Sequence, residues 1–219
     1  MKAVYKYNLF DLDGTLTDPA LGITNSVMYA LEKSGCPVPE RSELYKFIGP
    51  PLVYSFKTYS GMNDEEAQRA LLYYRERFAA GGLFENELYE GIPELLASIK
   101  AGGGKVILAT GKPEEFAAQI LEHFGLLQYF DFVCGNTLDE TRPEKRQVLQ
   151  HIFSSFPELS GENAVMVGDR SYDVLAAAEF GLPSVGVLFG YGPRAELEEA
   201  GADKLAASVG DLSTLLLAQ

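Results

Sequence analysis

Two carboxylates, Asp11 and Asp13, follow directly after a short apolar run and are the first chemical signal in the chain. The run reads YKYNLF, which is typical of a buried strand, and it stops at the first aspartate. Because side chains alternate along a strand, the two carboxylates should leave its end on the same side. Like charges this close repel each other and are costly to bury, so we expect a compensating cation. Oxygen ligands favour a hard divalent ion such as Mg²⁺.

Two simpler interpretations of this stretch can be weighed against the metal site. A solvated acidic turn fits poorly, because the run before Asp11 is apolar. A calcium-binding loop would need glycine where Leu16 stands and a bidentate glutamate where Gly22 stands. The sequence fails at both positions, which excludes the calcium loop.

The segment after residue 85 alternates between strand and helix patterns, which predicts an α/β fold with a parallel, doubly wound sheet. After the first strand, further strands are predicted at 105–109, 130–134, 164–167 and 184–188, with a helix between each pair. Residues 21–85 instead carry helical signals, with Ser42 and Asp64 as candidate helix caps. The sequence therefore predicts an α/β core of residues 1–18 and 83–219 and an all-helical insertion of residues 19–82.

Polar residues recur where the predicted strands end. Asp11 and Asp13 follow the first strand, Thr110 follows the second, and Asp169 follows the fourth. Ligands of doubly wound sheets bind beyond the carboxyl ends of the strands. Four such residues at the same edge predict the functional site there.

Composition and charge narrow the classes of partner. The net charge of −13 repels nucleic acid and anionic membranes, so neither is expected as a partner. A small phosphorylated molecule remains compatible with this charge if positive side chains line a cleft. Cys36 and Cys134 offer no disulfide framework, and no secretory or transmembrane segment is recognisable. These features lead us to expect a cytoplasmic protein.

Several motifs in order along the chain resemble the haloacid dehalogenase-like (HAD) phosphatases. They are DLDGTL, Thr110 after a strand, a lysine after the third strand and GDRSYD. FIGPPL, RPEK and the tail VGVLFGYGPRAELEEAGAD are most similar to the phosphoglycolate-phosphatase-like branch. The resemblance implies a three-layer, Rossmann-like core with a helical cap domain inserted after the first strand. Asp13 argues against dehalogenation, because the dehalogenase branch does not keep an acid there.

The resemblance also implies roles for the two leading aspartates. Asp11 corresponds to the nucleophile, which attacks phosphorus and forms an aspartyl-phosphate. Asp13 corresponds to the general acid–base residue, which protonates the leaving alcohol and then activates water. The backbone carbonyl of Asp13, rather than its side chain, would reach the metal.

Phosphate binding is assigned in the same way. Thr110 and the backbone N–H of Gly111 would hold the phosphoryl oxygens, and Lys145 would neutralise the charge shared with the nucleophile. Lys112 directly follows Thr110 and Gly111, so it competes with Lys145 for that role or serves as a second phosphate contact. Capping of the following helix is the alternative role for Thr110.

The GDRSYD motif supplies the remaining acids. Asp169 would ligate Mg²⁺ together with Asp11 and Asp13. Asp173 lies one helical turn further on and would orient metal-bound water from outside the ligand set, or would simply be an exposed helix acid.

The function that these features predict is Mg²⁺-dependent hydrolysis of a small soluble phosphomonoester. A phosphoglycolate-like compound, a sugar phosphate and a nucleotide are all compatible substrates. A sugar-phosphate mutase of the β-phosphoglucomutase type and an inorganic pyrophosphatase are alternatives on the same fold. A phosphoacceptor signalling module and an inactive binding protein are more distant alternatives.

Overall fold

The computed structural model describes residues 1–218. Its main sheet has six strands in the order β6-β5-β2-β7-β8-β9, and all neighbouring strands are parallel. The strands of the chain are β1 (Lys2–Ala3), β2 (Tyr7–Phe10), β3 (Thr17–Asp18), β4 (Glu87–Leu88), β5 (Lys105–Pro113), β6 (Phe132–Asn136), β7 (Ala164–Gly168), β8 (Ser184–Val187), β9 (Lys204–Ala206) and β10 (Leu217–Ala218). The α/β class predicted from the sequence is confirmed.

Nine α-helices accompany these strands within residues 1–218. They are α1 (Ala20–Lys33), α2 (Leu52–Ser60), α3 (Asp64–Ala80), α4 (Ile92–Ala101), α5 (Glu114–His123), α6 (Lys145–Ser155), α7 (Ser171–Glu179), α8 (Arg194–Glu199) and α9 (Val209–Leu216). Short 3-10 helices lie at Arg41–Phe47, Gly82–Phe84 and Leu127–Tyr129.

Strand β2 lies inside the sheet, between β5 and β7. All four of its residues are buried, as expected for a parallel strand covered on both faces. Phe10 is in register with Leu108 of β5 and Val167 of β7. This register brings the carboxyl ends of the three strands to one edge of the sheet. The residues that the sequence predicts for the functional site lie at that edge.

The core on one face of the sheet is built from alternate strand residues and two helices. Leu9, Ile107 and Met166 point into it from β2, β5 and β7. Val148, Leu149 and Ile152 of α6 and Ala176 and Ala177 of α7 pack against them. The same helices begin with residues of the candidate site, so core packing fixes where those residues lie.

The chain divides into two compact units, one of residues Met1–Asp18 and Leu88–Gln219 and the other of Pro19–Glu87. The second unit is built from α1, α2, α3 and two 3-10 helices, with α1 and α3 packed together. Glu85 binds Arg77 and Asn25 within this unit. The sequence predicts the return to the core after residue 82.

Two predicted helix caps are wrong. The N-cap of α3 is Asn63, whose side chain accepts from the Glu66 N–H in a capping box, and Asp64 is the first helical residue. Ser42 lies inside the 3-10 helix that begins at Arg41, where no side chain caps the start. Adjacent Asx and Ser residues offer equivalent local signals, and only the backbone path decides which one caps.

Some strands differ from the sequence prediction. β6 begins two residues later than expected, because Phe130 still closes the 3-10 helix Leu127–Tyr129. β9 and the antiparallel pair of β1 and β10 were not predicted. Each has only two or three residues, which is too short to display a hydrophobic period.

None of the helices in residues 1–218 combines the length and the apolar character that crossing a membrane requires.

Candidate active site

The turn after β2 presents Asp11 at the sheet edge. Its N–H donates to Val167 O at 2.9 Å and so continues the ladder with β7. One carboxylate oxygen, Oδ1, accepts the Leu12 N–H at 2.7 Å. Gly14 then adopts a φ of +77°, and a Cβ there would lie 2.2 Å from Oδ2 of Asp169. Glycine at this position therefore lets Asp169 approach the turn.

Lys145 joins two of the acids. Its Nζ lies 3.0 Å from Oδ1 of Asp11 and 2.7 Å from Oδ1 of Asp173, and it donates to Ala109 O at 2.8 Å. Burial alone would lower the pKa of Lys145, but the two carboxylates outweigh burial and hold the pKa above its ordinary value. The ammonium is therefore a fixed positive charge inside an acidic cluster. Its position is set by the start of α6, which a capping box of Glu144 and Gln147 stabilises.

Asp11, Asp169 and Asp173 form a buried trio in which one carboxylate oxygen from each residue lies within 4.8 Å of those from the other two. Oδ2 of Asp169 accepts the Tyr191 N–H at 2.8 Å. Oδ1 of Asp169 is buried and has no hydrogen-bond partner. Burial, and then the neighbouring Asp173 and Asp11, raise the pKa of Asp169 well above its ordinary value. A buried carboxylate oxygen without a partner, aimed at other carboxylates, fits the donor set of a hard divalent cation.

Asp173 is more completely engaged by protein groups than Asp169. It lies in the first turn of α7, and its Oδ2 accepts the Arg170 N–H at 3.2 Å. Its Oδ1 lies 2.7 Å from Lys145 Nζ in an ion pair, although, like Oδ1 of Asp169, it accepts no hydrogen bond. Burial raises the pKa of Asp173 to about 6, although the Lys145 charge opposes the rise. The structure thus places Asp173 at full burial, which rules out the exposed-acid alternative.

Lys112 pairs with Asp13 rather than with the trio. Its Nζ lies 2.6 Å and 2.9 Å from the two carboxylate oxygens, and both side chains are largely buried. Burial raises the pKa of Asp13 even though Lys112 opposes that rise. The two lysines that compete in the sequence analysis therefore contact different carboxylates.

Thr110 lies inside the extended strand β5, where its Oγ1 accepts the Lys112 N–H at 3.2 Å. The N-cap of α5 is Pro113, so the alternative role of Thr110 as a helix cap is excluded. Gly111 is exposed and has no atom within 4 Å of the position that a Cβ would take. Its exposed backbone is consistent with an approaching ligand.

Two residues that contact the site were not singled out in the sequence. Tyr191 binds Asp169 through its N–H and Asp18 through its hydroxyl group. Glu196 contacts Arg170 and Ser171, which lie between Asp169 and Asp173. The sequence GYGPRAELEE contains both residues but indicates only a family resemblance, because neither has a spacing to the site that can be seen locally.

The chain is similar to several known proteins. The model of the haloacid dehalogenase-like hydrolase family matches residues 8–187. A 5'-nucleotidase of Pseudomonas aeruginosa is 42% identical over 193 residues, covering 88% of this chain and 87% of the nucleotidase. A phosphoglycolate phosphatase of Agrobacterium fabrum is 30% identical and covers 87% of this chain and 84% of the phosphatase. These matches confirm the resemblance to the phosphoglycolate-phosphatase-like branch.

Two further similarities concern a kinase and a solved structure. The tyrosine-protein kinase PtkA of Mycobacterium tuberculosis is 42% identical over 184 residues, which are 84% of this chain and 62% of the kinase. The crystal structure of a predicted phosphatase from Clostridium acetobutylicum superimposes with a TM-score of 0.93 at 46% identity, covering 97% of this chain and 98% of that one. The chain therefore belongs to the haloacid dehalogenase-like hydrolase family and is an enzyme of the phosphatase type.

Proposed function

We propose that the protein is a Mg²⁺-dependent phosphatase that hydrolyses a small soluble phosphomonoester through an aspartyl-phosphate on Asp11. The observation that carries the proposal is the buried cluster in which Lys145 contacts Asp11 and Asp173 while Oδ1 of Asp169 has no hydrogen-bond partner. A nucleophile, a fixed cation and a partnerless carboxylate oxygen in one buried cluster are the parts that phosphoryl transfer needs.

In the first half-reaction, an Asp11 carboxylate oxygen attacks phosphorus and the bond from phosphorus to the substrate alcohol breaks. The Leu12 N–H binds Oδ1 of Asp11 and restrains the carboxylate. Lys145 offsets the negative charge that builds between Asp11 and the incoming phosphoryl group. Its raised pKa keeps that positive charge in place throughout turnover.

Asp13 transfers the protons. It donates a proton to the leaving alcohol. In the second half-reaction it accepts a proton from the water that attacks phosphorus, the bond between phosphorus and the Asp11 oxygen breaks, and inorganic phosphate and the free Asp11 carboxylate result. Lys112 fixes the position of the Asp13 carboxylate by contacting both oxygens. Thr110 and the Gly111 N–H bind phosphoryl oxygens at the exposed end of β5.

The residues that would hold Mg²⁺ are Asp11, Asp169 and the backbone carbonyl of Asp13. A divalent cation held by these groups would supply positive charge and so reduce the repulsion between the nucleophile and the phosphoryl oxygens. Asp173 is not among these ligands, since its own oxygens contact Lys145 and the Arg170 N–H, and it would instead orient the groups that bind the cation.

Two observations support a small soluble substrate. The relatives at 42% and 30% identity carry the names 5'-nucleotidase and phosphoglycolate phosphatase, both of which act on low-molecular-weight phosphomonoesters. The net charge of −13 repels polyanionic substrates. A nucleoside 5'-monophosphate is the first candidate because the nucleotidase has the higher identity. Cys36 and Cys134 are free thiols, which is compatible with a protein that functions in the reducing cytoplasm.

We assign substrate selection to the helical unit Pro19–Glu87, as a cap domain. The residues proposed for chemistry all belong to the other unit, and members of one phosphatase family share chemistry while differing in substrate. We expect substrate specificity to depend on two segments of this unit, residues 47–56 and the neighbourhood of Arg75.

A panel assay tests the proposed function. Purified protein with Mg²⁺ is incubated with nucleoside monophosphates, phosphoglycolate, sugar phosphates and pyrophosphate, and released phosphate is measured. We expect release from one class of monoester and none from that class with the Asp11→Asn variant. Faster transfer of phosphate to a sugar phosphate than to water would indicate a mutase instead. An aspartyl-phosphate that survives for minutes would contradict turnover and indicate a phosphoacceptor.

A further inference from the structure

Glu196 reaches from the first turn of α8 to the segment between Asp169 and Asp173. Its Oε1 accepts from Arg170 Nε, from the Ser171 N–H and from the Ser171 hydroxyl, each at 2.9 Å. Its Oε2 lies 3.3 Å from Arg170 Nη2, so the guanidinium is bound through two nitrogens. One carboxylate thus holds both the side chain and the backbone of the turn that separates the two acids.

This contact is an ion pair in a mostly buried setting. The side chains of Arg170 and Glu196 are 13% and 21% exposed. Burial alone would raise the pKa of Glu196, but Arg170 and the Ser171 N–H outweigh it and hold the pKa below its ordinary value. Two-point pairing between a guanidinium and a carboxylate restricts geometry as well as adding energy. The turn at Arg170 is therefore held in one conformation.

The segment that carries Glu196 contacts Asp169 as well. The Tyr191 N–H binds Oδ2 of Asp169, which leaves Oδ1 as the oxygen without a partner. The backbone at Gly192 passes so close that a Cβ there would lie 1.9 Å from Asp169 O. The chain from residue 190 to residue 196 thus packs along the acidic turn from Asp169 to Ser171.

We propose that Glu196 is a positioning residue for divalent-cation binding, although it contacts neither the substrate nor the cation. It holds the Arg170 guanidinium in an ion pair and fixes the Ser171 backbone, so that Asp169 and Asp173 keep their carboxylates directed at Asp11. This inference rests on the metal dependence proposed above. Groups that orient metal ligands from outside typically change metal affinity by about 10–100-fold when they are removed.

Loss of Glu196 has two physical consequences. The start of α7 loses the acceptor for its first N–H group, that of Ser171, which loosens the backbone that leads to Asp173. Arg170 also keeps its positive charge beside Asp169 without its carboxylate partner. A positive charge that Glu196 no longer balances, adjacent to acidic ligands, opposes the binding of a cation to them. Both consequences weaken cation binding without removing any ligand.

The test is a titration of the full-length protein with Mn²⁺, in which electron paramagnetic resonance measures the concentration of the free ion. Glu196→Ala should bind Mn²⁺ about tenfold or more weakly than wild type, and Glu196→Gln, which keeps an oxygen acceptor but no charge, should lie between them. Glu198→Gln is the matched control, because Glu198 lies on the same helix and pairs only at the surface with Arg194. We expect its affinity to equal that of wild type.

A second measurement separates positioning from a general structural role. Saturating Mn²⁺ should restore kcat of Glu196→Gln to within about twofold of wild type, since only cation affinity is altered. A kcat that no Mn²⁺ concentration restores, or a Glu196→Gln affinity equal to that of Glu198→Gln, would overturn the inference. If Glu196→Ala does not fold, the Gln variant decides alone. If wild type itself binds no Mn²⁺, the metal dependence of the proposed function fails and this inference fails with it.

Discussion

Lys112 holds the carboxylate of Asp13 by both oxygens, at 2.6 Å and 2.9 Å, in a pair that is almost completely buried. Lys145 makes the corresponding contact with Asp11. Each of the two aspartates that follow β2 therefore has its own lysine. The separation is consistent with the two tasks proposed above, which are charge neutralisation at Asp11 and placement of the proton-transfer group at Asp13.

Replacing Lys112 with methionine should slow the hydrolysis of each substrate in proportion to how much its leaving group needs a general acid. Alkyl phosphates have poor leaving groups, and we expect their kcat/KM to fall by about 100-fold. p-Nitrophenyl phosphate releases a stable phenolate without protonation, so its kcat/KM should fall only by about threefold or less. Steady-state kinetics with both substrates measures the ratio.

The control for this variant is Lys204→Met, since Lys204 is an exposed lysine of β9. It should leave both substrates unaffected. An equal loss with alkyl and nitrophenyl phosphates in Lys112→Met would show that Lys112 binds phosphate instead.

The nucleophile can be tested with Asp11→Asn and Asp13→Asn. The first variant should lose turnover while keeping its far-ultraviolet circular dichroism, because an amide cannot form the acyl phosphate. The second should slow both half-reactions by about 100-fold or more and let phosphoenzyme accumulate. Acid-quenched samples incubated with ³²P-labelled substrate report the phosphoenzyme. Turnover near the wild-type rate in Asp11→Asn would refute the mechanism.

Metal removal should abolish activity. Chelation of the purified protein should stop hydrolysis, Mg²⁺ should restore it, and Ca²⁺ should inhibit because its larger, looser coordination misplaces the nucleophile. Asp169→Ala should raise the Mg²⁺ concentration for half-maximal activity far more than Asp173→Ala. Neither Oδ1 accepts a hydrogen bond, but Oδ1 of Asp173 lies 2.7 Å from the Lys145 ammonium, so the protein itself already supplies a positive charge to Asp173. A larger increase in Asp173→Ala than in Asp169→Ala would show that Asp173 is the metal ligand and that Asp169 acts from outside the ligand set.

The helical unit offers a test of stability and pH. Glu85 accepts from Arg77 Nη2 at 2.6 Å and from Asn25 Nδ2 at 2.9 Å. Burial alone would raise its pKa, but Asn25 and Arg77 outweigh burial and hold the pKa below the ordinary value of 4.5. The contribution of Glu85 to stability is therefore present above that ordinary value and is lost as pH falls through the lower folded-state pKa.

Denaturant unfolding of wild type and Glu85→Gln measures this contribution. We expect a difference of about 1 kcal/mol or less at pH 7, because the pair is only partly buried, and a smaller difference at about pH 3. Glu198→Gln, in a pair that is more than half exposed, should show almost none. A difference between wild type and Glu85→Gln that grows as the pH falls would contradict the assignment.

Replacement of the helical unit tests the origin of specificity. We expect a variant with a short flexible linker in place of Pro19–Glu87 to hydrolyse p-nitrophenyl phosphate weakly and to lose its preference among metabolites. The physical reason is that the proposed catalytic residues lie outside this unit. The readout is the ranking of kcat/KM over the metabolite panel. An unchanged ranking in a folded variant would show that specificity resides in the core.

The sequence by itself determined the fold class and the edge of the sheet where the candidate site lies. Alternating strands and helices allow essentially one arrangement, a parallel sheet whose strand ends converge. Asp11, Thr110 and Asp169 could be placed at that edge because each follows an apolar run in the chain. These are local signals, and a parallel sheet converts them directly into spatial proximity.

The family resemblance already assigned Lys145 to Asp11, but only the tertiary structure showed that Lys112 pairs with Asp13 and that Glu196 pairs with Arg170. The order of the strands places β5 and β7 on either side of β2, and α6 then brings Lys145 to Asp11 while Lys112 reaches Asp13. Glu196 lies 26 residues from Arg170 along the chain, yet binds it directly. No local period links residues at such separations. Their contacts depend on how helices dock against the sheet, which the packing of the buried core determines.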